Sequence, residues 1–256
     1  LSILKVEFKN NICQTIVNRP KTLNAINFEV IEAMEKLIQL IEEDEETRSL
    51  ILKGAGSQSF ISGGDLREFH TLKKAEDAKP MAQRMVSLLT RIEKLPCWTI
   101  ASINGAAYGG GCETMLAFDF RIASSDAVFG FTQSKFYLSP GWGGLTRLVE
   151  RVGRSTALRW LGAAKVVDAK EALRYNLVDR LADPEKLSGK SWEWAEQLTH
   201  NDRAFIKNLK EQALQLTHAR WKAIDKELET FTQFWESDVH HQRVQNFLDK
   251  KKEGDN

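Results

Sequence analysis

The chain has 256 residues, 42% of them hydrophobic and 28% charged, close to the globular average, which excludes a disordered or collagen-like chain. Basic and acidic residues number 36 and 35, so no whole-chain field draws the protein onto nucleic acid or anionic lipid. No stretch reaches the roughly 18 uninterrupted apolar residues of a membrane span, and Cys13, Cys97 and Cys112 stand too far apart for a disulfide framework or a zinc ribbon.

Residues 3–8 (ILKVEF) and 13–19 (CQTIVNR) read as two short strands. Asn10 and Asn11 between them tolerate the left-handed backbone of a tight hairpin. From Asn27 the pattern turns helical, with Ile31, Met34, Leu37, Ile38 and Ile41 at spacings of three and four. Ser49–Lys53 is a short apolar run, read as a buried strand, and Gly54–Asp65 as loop. Met81, Met85, Leu88, Leu89, Ile92 and Leu95 form a second helical stripe, stopped by Pro96. Cys97–Ile103 is strand-like. Residues 104–111 (NGAAYGGG) cannot start as regular structure, and a helix is expected to begin within the glycines and run through Met115 and Leu116. Asp119–Ala123 and Val128–Phe131 read as short strands and SPGWGG (139–144) as a turn. The rest reads mostly as helix, with a late aromatic stripe of Trp221, Ile224, Leu228, Phe231 and Trp235 taken as core or subunit packing. Strand and helix alternate early and helices dominate late, which gives an α/β fold with a helical C-terminal region.

Three polar, glycine-rich segments are the candidates for chemistry: FISGGDL (60–66), NGAAYGGGCE (104–113) and FGFTQSKFYLSPGWGG (129–144). Glycines entering a helix let backbone N–H groups approach a ligand unobstructed. Those first N–H groups lack intrahelical acceptors and favour negative charge, which suits a phosphate or a transient oxyanion. Close helix–strand packing would use the same glycines. Glu113 follows Gly110 by three residues, about one turn along the same face. A carboxylate beside an oxyanion site is a constellation for proton transfer next to a carbonyl; a dipole-complementing glutamate is the plainer alternative. GGG is neither GxGxxG nor a P-loop, and HExxH and GxSxG are absent. The adjacent pair His240–His241 is not metal-site spacing, and His70, His200 and His218 are scattered and expected to be exposed. Arg147, Arg151 and Arg154, with Arg159 beyond, read as a solvated or subunit-facing helix side rather than a nucleic-acid surface.

The ordered set of NRPKTLNAI (18–26), FISGGDL, INGAAYGGGCETMLAFDFRIAS (103–124), SPGWGGLTRL (139–148) and FLDKKK (247–252) resembles the crotonase, or enoyl-CoA hydratase/isomerase, superfamily over nearly the whole chain. The resemblance implies a spiral of ββα turns with a helical C-terminal trimerisation region. It divides the chain into a core with the CoA site, residues 1–195, and a helical region for oligomerisation and active-site closure, residues 196–256. It implies an acyl-CoA substrate, no cofactor apart from the CoA that belongs to the substrate, and a homo-oligomer, trimer or dimer of trimers. Neither membrane nor nucleic acid is expected as a partner, RNA binding being a distant second role. The expected location is cytoplasmic. The chain starts at Leu1 rather than Met, so its N-terminus says nothing about targeting.

Carried over residue by residue, the thioester carbonyl lies between the N–H groups of Gly64 and Gly110. Ser62, Asp65 and Leu66 flank the CoA path, Lys21 and Leu23 line its entrance, and Lys250 or Lys251 reaches the CoA phosphates of a neighbouring subunit. Glu113 matches one of the two glutamates of typical hydratases. At the place of the other stands Gln133, and an amide cannot give or take a proton as a carboxylic acid does. A double-bond shift needs a single proton carrier and a decarboxylation needs none, so an acyl-CoA or acyl-carrier-protein decarboxylase is the alternative within the fold. Tyr108, Phe131 and Trp142 are candidates for an apolar wall, and Trp142 and Trp235 are similar to tryptophans of decarboxylase-like members. His240 is either brought into the site, as in members acting on carrier-protein thioesters, or an exposed helix residue.

Overall fold

The computed structural model describes residues 2–215 and 219–254, the last four as backbone only. His218 and the Lys251 side chain therefore lie outside the described residues. The chain opens with β1 (Leu4–Lys9) and β2 (Ile12–Val17), an antiparallel hairpin. Its turn residues Asn10 and Asn11 have φ of 50° and 62°, both left-handed as a two-residue hairpin turn requires. Asn27 then caps α1 (Phe28–Glu43), its side chain accepting from the Val30 N–H at 3.0 Å.

The ββα spiral expected from the resemblance follows. One turn is β3 (Ser49–Gly54), β4 (Ser59–Ile61), α2 (Leu66–Phe69) and α3 (Ala75–Lys94). The next is β5 (Trp98–Ile103), β6 (Ala106–Tyr108) and α4 (Gly110–Leu116). A third is β7 (Phe120–Ser124), β8 (Val128–Gly130), α5 (Gly144–Val152) and α6 (Arg154–Gly162). After these come β9 (Val166–Asp168), α7 (Ala169–Arg174), β10 (Arg180–Ala182) and the helices α8 (Leu187–Leu198), α9 (Arg203–Gln215), α10 (Arg220–Trp235) and α11 (Asp238–Gly254). Each turn gives one strand to a six-stranded sheet, β1-β2-β3-β5-β7-β10, and one to a four-stranded sheet, β4-β6-β8-β9. β4 and β6 correct the reading of 54–65 as loop and of 104–111 as irregular at its start. Three-residue strands are too short to show alternation.

Alternate positions of the large sheet divide between two cores, as a strand's two-residue period dictates. Leu50, Leu52, Ala101 and Ile103 join the apolar stripes of α1 and α3. Ile12, Ile51, Ile100 and Ile122 face the other way, onto Leu187, Trp194 and Ala195 of α8. The late aromatic stripe is core: α10 packs on α3 and α5, burying Ile224, Leu228, Phe231 and Trp235, while Trp221 is half-buried under the Lys94 ammonium. The arginine run divides: Arg154 and Arg159 are exposed as expected, but Arg147 and Arg151 are not on a solvated face. Arg147 is buried against Glu93, and Arg151 pairs with Asp179. Among the described residues no helix is long and apolar enough to cross a membrane.

Asn104, the first residue of NGAAYGGG, clamps the connection between β3 and β4. Its side chain accepts from the Gly54 N–H at 2.9 Å and donates to the Gly56 carbonyl at 2.7 Å. Asn104→Leu leaves the Gly54 N–H unpaired in a buried place, which should cost about 1–3 kcal/mol. Denaturant unfolding reads this directly, and an unchanged midpoint would refute the clamp.

Candidate active site

Two backbone N–H groups are left free by the way the chain is paired. Ile26 forms a parallel bridge to Gly64: the Ile26 N–H donates to the Gly63 carbonyl at 2.8 Å and its carbonyl accepts from the Asp65 N–H at 2.7 Å. The residue between two such bonds points its own N–H away from the partner strand. Gly110 is the first residue of α4, where no intrahelical acceptor exists. Both glycines line one inner cavity of about 110 Å³, with Ser62, Leu66, Glu113, Gln133 and Trp142.

Glu113 follows one turn into α4 and is buried. Its Oε2 accepts from the N–H groups of Trp142 at 2.8 Å and Gly144 at 3.0 Å, and its Oε1 accepts from Gln133 Nε2 at 3.3 Å. Burial, and after it the charge of Glu227, pushes the Glu113 carboxyl up to about 7, against the lowering effect of these three hydrogen bonds. A carboxyl poised there takes up and releases a proton near neutral pH. Gln133, twenty residues on, stands beside it, and its buried Oε1 has no hydrogen-bond partner among the described residues.

A larger outer cavity of about 910 Å³ adjoins, lined by Lys21, Leu23, Asp65, Tyr108 and Lys250, with Ser62, Gly64 and Leu66 common to both. Asp65 also caps α2 and pairs with Arg19 at 2.9 Å. Lys250 lines this chain's own outer cavity beside Arg243 and Phe247 of the same helix. Phe131 is not part of the wall. It is buried in the core, stacked on Trp160 with ring centroids 5.6 Å apart. His240 is neither exposed nor at the cavity surface: it is buried, its Nδ1 2.8 Å from the Phe136 carbonyl and its ring 4.8 Å from that of Trp235. His70 is half-buried rather than exposed.

The inner wall is completed by Phe69, Met81, Leu138, Phe231 and Trp235, most of them unforeseen as site residues. Phe231 and Trp235 carry only the helical spacing that every core residue shares. Lys135 and Arg243, which add positive charge to the outer cavity, carry no local signal at all. Among the described residues no group of three or more His, Cys, Asp or Glu is placed to hold a metal ion.

The spiral and its two sheets are those of the crotonase superfamily. The sequence profile of the family described as enoyl-CoA hydratase/isomerase matches residues 7–254, and the chain belongs to that family. It is 36% identical over 209 residues to the short-chain-enoyl-CoA hydratase of Clostridium acetobutylicum, covering 82% of this chain and 79% of that protein. It is 34% identical over 184 residues to the crotonyl-CoA hydratase of Syntrophomonas wolfei, covering 71% and 70%. The crystal structure of enoyl-CoA hydratase from Bacillus anthracis matches with a TM-score of 0.80 at 28% identity, over 98% of this chain and 96% of that one. The enoyl-CoA hydratase from Bacillus halodurans, 22% identical, shares the fold with a TM-score of 0.89 over 96% and 100%.

Two outcomes follow from this geometry. A Cβ at Gly110 would run into the Trp142 ring, so Gly110→Ala should push the ring into the cavity and lower turnover about 100-fold. Turnover close to that of the parent would show that the cavity is not where substrate reacts. His240 is held neutral, its burial pushing it down to about 4. Because the unfolded chain binds that proton from about pH 6.5 downward and the folded chain does not, stability is full above pH 6.5 and falls progressively toward pH 4. Melting temperatures of the parent and His240→Gln across that range should diverge, the variant being less pH-sensitive; parallel curves would contradict the assignment.

Proposed function

We propose that this enzyme acts on acyl-CoA thioesters through an enolate, with Glu113 as its one proton carrier. The thioester oxygen sits between the N–H groups of Gly64 and Gly110. Its negative charge grows as the enolate forms, so aimed donors stabilise that state over the ground state, at roughly 2.7–4 kcal/mol per donor. The CoA portion follows the outer cavity, where Lys21, Lys135, Arg243 and Lys250 offer cations to its phosphates. No cofactor beyond that CoA enters this reading. The small inner cavity suits a short acyl chain, in keeping with the names of the two hydratases above. Residues 196–256 close the site, since Phe231 and Trp235 wall the inner cavity and Phe247 the outer one. The trimer-based assembly rests on the family resemblance alone, because the aromatic stripe is covered within the chain.

The single observation that carries this reading is the pairing of Glu113, about 7 in pKa, with a non-ionisable Gln133 at 3.3 Å beside two free N–H groups. One carboxyl that removes a proton and returns it two carbons away is sufficient for a double-bond shift. Addition of water needs a water activated and a proton delivered, and Gln133 Oε1 can orient that water but not exchange a proton with it. Isomerisation of 3-enoyl-CoA is therefore expected to outpace hydration of crotonyl-CoA. Decarboxylation is disfavoured, because Glu113 would meet the substrate's carboxylate with like charge.

Gln133→Glu tests the assignment. A second titrating group should raise hydration of crotonyl-CoA by about 10-fold or more, within the range general acid–base catalysis commonly supplies. If the parent already hydrates crotonyl-CoA rapidly and the substitution changes nothing, the role given to Gln133 is wrong.

A further inference from the structure

Helix α5 begins without a cap of its own. Its N-cap is Gly143, at φ 81°, with no side chain to accept from the first turn. Two carboxylates from elsewhere take that place. Glu113, from α4, accepts from Trp142 and Gly144. Glu227, from α10, accepts from the next two N–H groups, Leu145 at 3.0 Å and Thr146 at 2.5 Å, and from the Thr146 hydroxyl. The first two donors go to a carboxylate that lines the inner cavity and the next two to one that is not among its lining residues.

We propose that Glu227 is a positioning residue for Glu113, acting through the shared first turn of α5 and through its charge. This rests on the reading of Glu113 as the proton carrier. The groups that face Glu113 are Gln133 from the short 3₁₀ turn Gln133–Phe136, the Trp142 and Gly144 N–H groups at the start of α5, the Arg147 guanidinium of α5, and Glu227 from α10. Those that face Glu227 are Leu145, Thr146 and the Arg147 guanidinium, all of α5. Arg147 in turn is held by Glu93 of α3, which also pairs with Arg220 of α10, and Arg220 with Glu150 of α5. Burial raises the Glu227 carboxyl from its ordinary value, opposed by three donors and the Arg147 guanidinium, which favour its charged form. Glu113 is the deeper of the two, and the charge of Glu227 raises it further, because two like charges on one helix terminus oppose each other. In this arrangement α10 does two things for the site. It fixes the backbone that offers N–H groups to Glu113, and it keeps the proton affinity of Glu113 near neutral.

The measurement is the pH profile of kcat/KM for 3-enoyl-CoA isomerisation. Glu113 acts as the base only when deprotonated, so the parent profile should fall on the acid side of about pH 7, and Glu113→Gln should abolish turnover. A parent without that limb overturns the reading of Glu113 and the proposal with it. Glu227→Gln keeps one acceptor oxygen for α5 and removes the charge. Its acid limb should move to lower pH by about half a unit or more, with KM within about twofold of the parent. A limb that stays in place, even with a lowered melting temperature, leaves Glu227 a structural cap and overturns the proposal alone. If that variant does not fold, the unmodified enzyme labelled with ¹³Cδ-glutamate decides the matter. Mutually dependent two-step titrations of the two carboxyls support the coupling, and independent single-step curves refute it.

Discussion

The candidate site depends on one constraint: a carboxylate buried away from bulk water must be kept charged part of the time. An isolated carboxylate in such a place would cost far more than the fold can spare. The N–H groups of Trp142 and Gly144 supply what water would have supplied, from the start of a helix whose dipole favours negative charge. Gly144 has to be glycine for this to happen. A Cβ there would collide with the Glu113 carboxylate itself. The segment SPGWGG, read from sequence as a turn, thus serves to bring a helix terminus into contact with a side chain on another helix.

That terminus is in turn braced from behind. Arg147 donates to the Trp142 carbonyl at 2.7 Å and to Glu93 at 2.7 Å. Arg220 joins Glu93 and Glu150. Buried ion pairs add little net stability, since desolvation offsets attraction, yet removing one partner typically costs about 3–5 kcal/mol. The consequence is registry rather than strength. α3, α5 and α10 can meet in only one relative position without stranding a charge, and that position aims the Trp142 N–H at Glu113. The geometry around Glu113 is therefore tied to α10, whose Glu227 lies more than eighty residues beyond the start of α5.

The sequence made the strongest features legible because each has a short-range cause. The Asn10–Asn11 hairpin, the α1 and α3 stripes and the helix starting in the glycine run all follow from local periodicity or from backbone freedom. The spacing from Gly110 to Glu113 gave the carboxylate its place, and the ordered motifs gave Gln133 its partner. What stayed hidden is of longer range. β4 and β6 are too short for a pattern. Phe131 sits in a glycine-rich motif, but just past the end of β8 it is buried in the core against Trp160. Arg147 has the spacing of a solvated face and becomes one of the most buried large side chains. Glu227 looks like any glutamate on an amphipathic helix until α5 is seen against it.

Gln133 and Glu227 act on one proton from opposite sides. The Gln133 amide donates to Glu113 and so favours its charged form, whereas the charge of Glu227 and burial favour the neutral one. Were residue 133 a carboxylic acid, three acidic groups would meet within one buried cluster, and at least one of them would have to stay protonated at neutral pH. A hydratase can use that protonated acid as its donor. With an amide there, the proposed reading leaves Glu113 alone to hold the proton between the two halves of the reaction. On the proposed reading a Glu113 carboxyl raised to about 7 suits a single carrier: much lower, and it would be a weak base that loses the proton to solvent; much higher, and it would already hold a proton at neutral pH and have no place for the substrate's.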